Sequence, residues 1–258
     1  FGKATSMRVL VTGGSGNVGR GVVRSLVRRG HEAIGMVRSV GSALRLARAV
    51  TGQWEDSVSI VGGKAGSPMK QLTSDRVLRL ADVIPPVMAA QCQGSVAEKL
   101  SVVLGDLVDP GKHSEFLKTL LRDEIDAVVH CGMEWESSGN GGQRRFLEWL
   151  LESMKCNKTA KLKMDGESQA CRKSLVLTGG MWCYGAGTCD DVDLFSRAVQ
   201  GGTFNDCPPE WRFLIDDCSY ALDVGKRGGI DVMVVHPANV YDWNSECALK
   251  TTAASSSG

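Results

Sequence analysis

The sequence predicts an α/β fold built on a doubly wound parallel sheet, with insertions between some of its strands. Three observations carry this reading. A short apolar, β-branched run ends in glycines at residues 7–14. A helical stripe follows it, and strand and helix patterns then alternate toward the C-terminus.

Met7 to Thr12 (MRVLVT) is continuous in apolar residues, as expected of a strand buried on both faces. Val18, Val22, Val23, Leu26 and Val27 recur at helical spacing, so a helix is predicted over Val18 to Arg29, with Gly30 as its stop. Ala33 to Val37 completes a βαβ unit. Further strands are predicted at Leu100 to Leu104, Ala127 to Cys131, Leu175 to Thr178 and Val232 to His236. Helices are expected at Ser114 to Arg122 and Gln143 to Met154. Six strands linked by helices imply a parallel sheet covered on both faces.

Two stretches interrupt the alternation. Thr51 to Glu98 is too long for an ordinary crossover and reads as an insertion, with Gly62-Gly63, Pro85-Pro86 and a helical patch over Arg76 to Val83. Ser137 to Gly142 reads as a flexible loop, and Lys155 to Lys173 as a Lys-rich connector. The tail from Thr251 to Gly258 is low in complexity and is expected to be disordered. Residues 1–250 are therefore expected to form one domain, and no internal repeat is present.

Composition narrows the function classes. With 258 residues, 43% of them hydrophobic, the chain has apolar material for one large domain. Thirty Lys and Arg against 29 Asp and Glu leave a formal charge of +1, so no net field draws the whole molecule to nucleic acid or an anionic membrane. Nine cysteines are scattered without a C-x-x-C pair, which suits reduced thiols inside a cell. No apolar run is long enough to span a bilayer. The start on Phe1 rather than Met, with basic and hydroxyl-rich first residues, suggests a mitochondrial or plastid matrix.

The strongest motif is Thr12-Gly13-Gly14-Ser15-Gly16-Asn17-Val18-Gly19, a G-x-x-G-x-x-G turn between a predicted strand and helix. That context identifies a Rossmann-type dinucleotide cradle. Gly13 permits the tight turn, Gly16 lets the backbone approach a pyrophosphate, and Gly19 lets the helix pack close to the strand. The helix N-terminus then presents free N–H groups to the phosphates. The alternative is a glycine-rich turn without a ligand. After the second strand, where an NAD site places a carboxylate on the ribose, the chain has Arg38 and Ser39. Arg38 can clamp a 2′-phosphate, Ser39 can donate a hydroxyl, and Arg20 adds a second positive group, which favours NADP(H) over NAD(H). Otherwise Arg38 is a solvated residue opening the next helix.

MRVLVTGGSGNVGRGVVRSLVRRGHEAIGMVRS, over Met7 to Ser39, resembles the opening of an extended or atypical short-chain dehydrogenase/reductase of the epimerase and NmrA-like branch. Gly105-Asp106-Leu107, Asp126 to His130, Leu177 to Gly185 and Val235 to Tyr241 continue the resemblance in order. It implies that Asp106 and Leu107 lie beside the adenine, and that the Cys131-Gly132-Met133 turn passes the nicotinamide ribose.

The resemblance also implies a Tyr-x-x-x-Lys pair, whose ammonium lowers the tyrosine pKa for proton transfer. None of the three tyrosines has it: Tyr184, Tyr220 and Tyr241 are followed four residues on by Thr188, Val224 and Ser245. Counted back from the last predicted strand, the pair falls near Trp211 and Ile215. Lys226 is six residues from Tyr220, on the opposite face of a helix. The family's Ser or Thr position holds Gly179 and Gly180, leaving Thr178 as a substitute hydroxyl or an ordinary strand-end residue. The chain stops soon after Asp242-Trp243-Asn244, so the C-terminal substrate lobe is expected to be reduced.

Weaker patterns have plain structural readings. His130-Cys131 reads as strand-end packing, Asp190, Asp191 and Asp193 as a solvated loop, and Lys158, Lys161 and Lys163 as a solvated connector. No metal site is expected. Three functions remain open. The chain is a catalytically degenerate NADP(H)-binding accessory subunit of a larger protein assembly, meeting nucleic acid only where that assembly contains RNA. Alternatively it is an active atypical NADPH-dependent reductase or nucleotide-sugar epimerase-like oxidoreductase. The third reading is an RNA- or protein-binding module that has abandoned the cofactor.

Overall fold

The computed structural model describes residues 6–51, 75–84, 89, 99–107, 115–132, 141–155, 172–179 and 212–235. In chain order the described elements are β1 (Arg8–Thr12), α1 (Asn17–Arg28), β2 (Glu32–Val37), α2 (Val40–Thr51), β3 (Leu78–Arg79), α3 (Leu80–Val83) and β4 (Leu100–Leu104). They continue with α4 (Glu115–Asp123), β5 (Ala127–His130), α5 (Gly141–Met154), β6 (Lys173–Thr178), α6 (Arg212–Gly228) and β7 (Ile230–Val235).

One seven-stranded sheet has the order β3-β4-β2-β1-β5-β6-β7. Every pair is parallel except β3 with β4. The six parallel strands run 3-2-1-4-5-6 in order of appearance, so the chain direction across the sheet reverses between β1 and β5. In open α/β sheets a ligand crevice opens at that point, beyond the C-terminal strand ends.

Two apolar cores cover the two faces. Val9, Val11, Val23, Val27, Leu46 and Leu100 lie in the core beneath α1 and α2. Leu10, Ile34, Leu117, Leu120, Leu147, Leu150 and Leu175 lie in the opposite one, beneath α4 and α5. Adjacent residues Val9 and Leu10 enter different cores because strand side chains alternate, which accounts for the unbroken apolar run in β1. The expected βαβ start is present. Helix α1 ends at Arg28, and the expected stop residue Gly30 follows with a φ of +89°. The Gly30 amide donates to the Val27 carbonyl at 3.0 Å and the His31 amide to that of Leu26 at 3.0 Å, a Schellman stop.

Four expectations need correction. The patch Arg76 to Val83 is not one helix: Leu78 and Arg79 pair antiparallel with Val102 and Ser101, and only Leu80–Val83 is helical. Leu78 is buried and Arg79 exposed, the alternation of a strand, which a two-residue segment is too short to reveal. Lys173 does not end a solvated connector. It opens β6 at 3% exposure, and its ammonium donates to the carbonyls of Leu121 at 2.6 Å and Ile125 at 2.7 Å. It thereby satisfies a carbonyl in the last turn of α4 and one just beyond, where cations are favoured. Gly141 and Gly142 belong to α5 rather than to a loop, and β5 ends at His130, one residue before Cys131. Most of 51–98 and of the connector, and all of 251–258, lie outside the described residues.

Candidate functional site

The glycine turn stands at the reversal point, and backbone contact explains its sequence. Gly13 has φ +64°, and a Cβ there would lie 2.7 Å from both Cα and N of Gly132, two residues past the end of β5. A Cβ on Gly19 would lie 2.2 Å from the Gly13 carbonyl oxygen, so α1 reaches β1 only without a side chain. Gly14 packs similarly on Gly35 of β2, 3.3 Å from an added Cβ. Gly35 is a glycine within a buried strand, itself a signal of close backbone approach.

Gly16 differs. A Cβ there would meet only the Gly13 carbonyl oxygen, at 3.2 Å, so the space before it is otherwise open. Gly16 is exposed and is the N-cap of α1, with no side-chain hydrogen bond to the first turn. The turn closes through the Gly16 amide, which donates to the Gly13 carbonyl at 2.9 Å. The leading N–H groups of α1 therefore lack a capping side chain, and that arrangement suits an anion. Ser15 and Val18 are half-buried beside it, and Asn17 is exposed. These residues fit a pyrophosphate.

The β2–α2 junction forms the neighbouring part. Arg38 and Ser39 are exposed directly after β2. Ser39 caps α2: its Oγ accepts from the Ser42 amide at 3.2 Å, and its carbonyl from the Ala43 amide at 3.1 Å. Ser39 Oγ also lies 3.3 Å from Ser42 Oγ, a contact in which either hydroxyl can donate. Arg45, one turn into α2, donates to Ser42 Oγ at 3.1 Å and is exposed. Sequence reasoning missed Arg45, although its spacing from Ser42 puts both on one helix face. Across the strand end, the Gly105 amide donates to the Val37 carbonyl at 3.1 Å, which brings half-buried Asp106 and Leu107 to this edge. Leu107 packs on Gly132, with its Cδ1 2.1 Å from an added Cβ.

Beneath the turn, Thr12 is fully buried and its Oγ1 lies 2.6 Å from Nδ1 of His130. His130 is 2% exposed, stacks on Phe146 with ring centroids 5.3 Å apart, and has no hydrogen-bond partner at Nε2. Burial holds its imidazole pKa down to about 4, so it is neutral near pH 7. Burial also pushes the Cys131 thiol up to about 12, which makes it a poor nucleophile. Thr178 Oγ1 donates to the His130 carbonyl at 2.8 Å, so this hydroxyl proton is engaged within the sheet.

Where the resemblance implies catalytic groups, Gly179 is buried with its amide bonded to the Val235 carbonyl at 2.8 Å, and Ile215 lies half-buried on α6. Trp211, Gly180, Tyr184, Tyr241, Met133 and both the Asp190–Asp193 and Lys158–Lys163 groups lie outside the described residues. On α6, Tyr220 is half-buried and Lys226 exposed. Tyr220 instead receives the Arg144 guanidinium over its ring at 4.3 Å. Arg144 also pairs with Asp217, Nε to Oδ1 at 2.6 Å. Burial pushes the Asp217 carboxyl up against the opposing pull of Arg144. Among the described residues no cluster of His, Cys, Asp or Glu suits a metal ion, and no helix is long and apolar enough to cross a membrane.

Residues 9–145 match the family model described as the NAD dependent epimerase/dehydratase family. No curated protein matches the sequence significantly. Among solved structures, the fold is similar to that of Pseudomonas aeruginosa RhlG in its NADP complex, at 13% identity and TM-score 0.53, over 98% of this chain and 82% of that one. It is similar to the yeast methylglyoxal/isovaleraldehyde reductase Gre2 complexed with NADPH, at 15% identity and TM-score 0.52, over 95% and 61%. It is also similar to the terminal R domain of the myxalamid PKS-NRPS pathway, at 14% identity and TM-score 0.52, covering 92% of this chain and half of that one. At these identities the likeness is one of fold.

Proposed function

Because the chain belongs to the NAD-dependent epimerase/dehydratase family, we propose that it binds NADP(H), performs no hydride-transfer chemistry of its own, and serves as an accessory subunit of a larger protein assembly. One pairing of observations carries this reading. Gly13, Gly16 and Gly19 form a close-packed turn with no side chain in front of α1, which supports a nucleotide cradle, whereas Gly179 and Ile215 lie near where family resemblance expects a hydroxyl and a lysine. Neither can donate, accept or move a proton through its side chain. Thr178, the substitute, spends its hydroxyl proton on the His130 carbonyl.

Arg38, Ser39 and Arg45 support the phosphorylated cofactor. Two exposed guanidinium groups, for which no ion pair is seen among the described residues, and a serine hydroxyl suit the charge and oxygens of a 2′-phosphate. Asp106 and Leu107 would flank the adenine, and Cys131 the nicotinamide ribose. The assembly is made with protein partners, in a reducing compartment such as a mitochondrial or plastid matrix.

Native mass spectrometry of the protein purified with its partners tests the reading. Bound NADP, stoichiometric partner proteins and no turnover are expected. A partner-free protein that steadily oxidises NADPH with a carbonyl or quinone acceptor would overturn it in favour of an active reductase.

A further inference from the structure

The least expected polar contact lies under the glycine turn. A neutral imidazole and a hydroxyl bring two polar protons, and the bond between His130 and Thr12 uses one. If Nδ1 carries the imidazole proton, the threonine hydroxyl is left over. If Nε2 carries it, that N–H is buried without an acceptor. An apolar pair would leave nothing unsatisfied, so space filling does not explain these residue types.

Their positions do. Thr12 is the last residue of β1 and adjoins Gly13; His130 is the last residue of β5 and is paired in register with Thr12. The next two residues, Cys131 and Gly132, form the wall against which Gly13 rests. The Cys131 amide donates to the Thr12 carbonyl at 3.2 Å, and Thr178, last in β6, donates to the His130 carbonyl. Phe146 of α5 stacks on the imidazole and restricts its rotation. One residue thus joins the C-terminal ends of three neighbouring strands where the sheet order reverses.

We propose that His130 is a positioning residue for the nucleotide site. It touches no ligand. Its bond to Thr12 fixes the last residue before the glycine turn, and so sets the height at which the open N–H groups of α1 meet the pyrophosphate. This role rests on the nucleotide-binding reading above.

The test is NADPH affinity by fluorescence titration of the full chain, with melting temperature and far-UV circular dichroism as controls for folding. Asparagine can place its amide nitrogen where Nδ1 stands, whereas leucine only fills volume. His130→Leu and the near-isosteric Thr12→Val should each weaken NADPH binding by about tenfold or more, the loss of one buried hydrogen bond. His130→Asn should stay within about threefold of the parent, and the double variant Thr12→Val/His130→Leu should bind no worse than the weaker single variant, because both remove one interaction.

A folded His130→Leu protein that binds NADPH like the parent overturns the role, as does a His130→Asn protein that loses as much as His130→Leu. Should His130→Leu fail to fold, Thr12→Val and His130→Asn carry the comparison alone. A parent chain that binds neither NADPH nor NADH overturns the nucleotide reading, and the positioning role with it.

Discussion

Gly13 and Gly132 are in backbone contact: a Cβ on Gly13 would lie 2.7 Å from two backbone atoms of Gly132. The first β-strand and the strand beside it therefore meet at their ends with no side chain between them. Gly30 provides the control, since its φ is also positive, at +89°, but an added Cβ meets nothing within 4 Å. Gly30→Ala should cost about 1 kcal/mol for the backbone alone. Gly13→Ala adds a steric clash and should cost about 3 kcal/mol. Urea unfolding of both variants checks the difference; equal losses would mean that the contact carries no weight.

Stability should fall in mild acid because of His130. Its folded pKa, about 4, lies below the ordinary histidine value of about 6.5, so the unfolded chain takes up the proton first. The stabilising contribution is complete above about pH 6.5 and is lost as pH falls toward about 4, amounting to about 3 kcal/mol. Asp217, with its carboxyl pushed upward, gives a slope of the opposite sign. The parent and His130→Asn should therefore be compared across pH 7 to 4. Parallel unfolding curves would rule out the histidine as the source.

Cofactor choice should depend on the β2–α2 junction. Arg38→Glu and Arg45→Glu should each lower NADPH affinity by about tenfold or more, the scale of one charge-assisted hydrogen bond, and leave NADH almost unchanged. The measurement is the ratio of the two dissociation constants. Equal losses for both nucleotides would move the arginines away from the 2′-phosphate.

Lys173 should act purely in folding. Lys173→Met keeps the aliphatic length but leaves the carbonyls of Leu121 and Ile125 without their buried donor. A loss of about 2 kcal/mol is expected, with NADPH affinity unaltered. Thermal unfolding with and without nucleotide separates the two effects.

The ends of the chain's regular elements explain which features the sequence revealed. β1, α1 and β2 were readable because long periodic runs meet turn glycines within one short unit, and all the contacts that define them are local or backbone-mediated. The tight turn at Gly13 and the close packing at Gly19 were readable for the same reason. β3 was not, because two residues carry no period and its pairing with Val102 and Ser101 is antiparallel across a long separation. Lys173 sat at the end of a Lys-rich connector and differed only through carbonyls some fifty residues earlier. His130 was read as packing because its partner Thr12 is 118 positions away. Arg45 required knowing where α2 begins.

The uncapped start of α1 bears on how binding is measured. Gly16 offers no side-chain oxygen to the first turn, so any small dianion in solution meets the same N–H groups as a pyrophosphate. If the turn holds the pyrophosphate as proposed, inorganic phosphate or sulfate in the buffer would compete for it, and the apparent dissociation constant for a nucleotide would rise linearly with the competitor. Affinities from phosphate-buffered and phosphate-free solutions would differ for an unchanged protein, so the choice of buffer belongs in the comparison of any two variants.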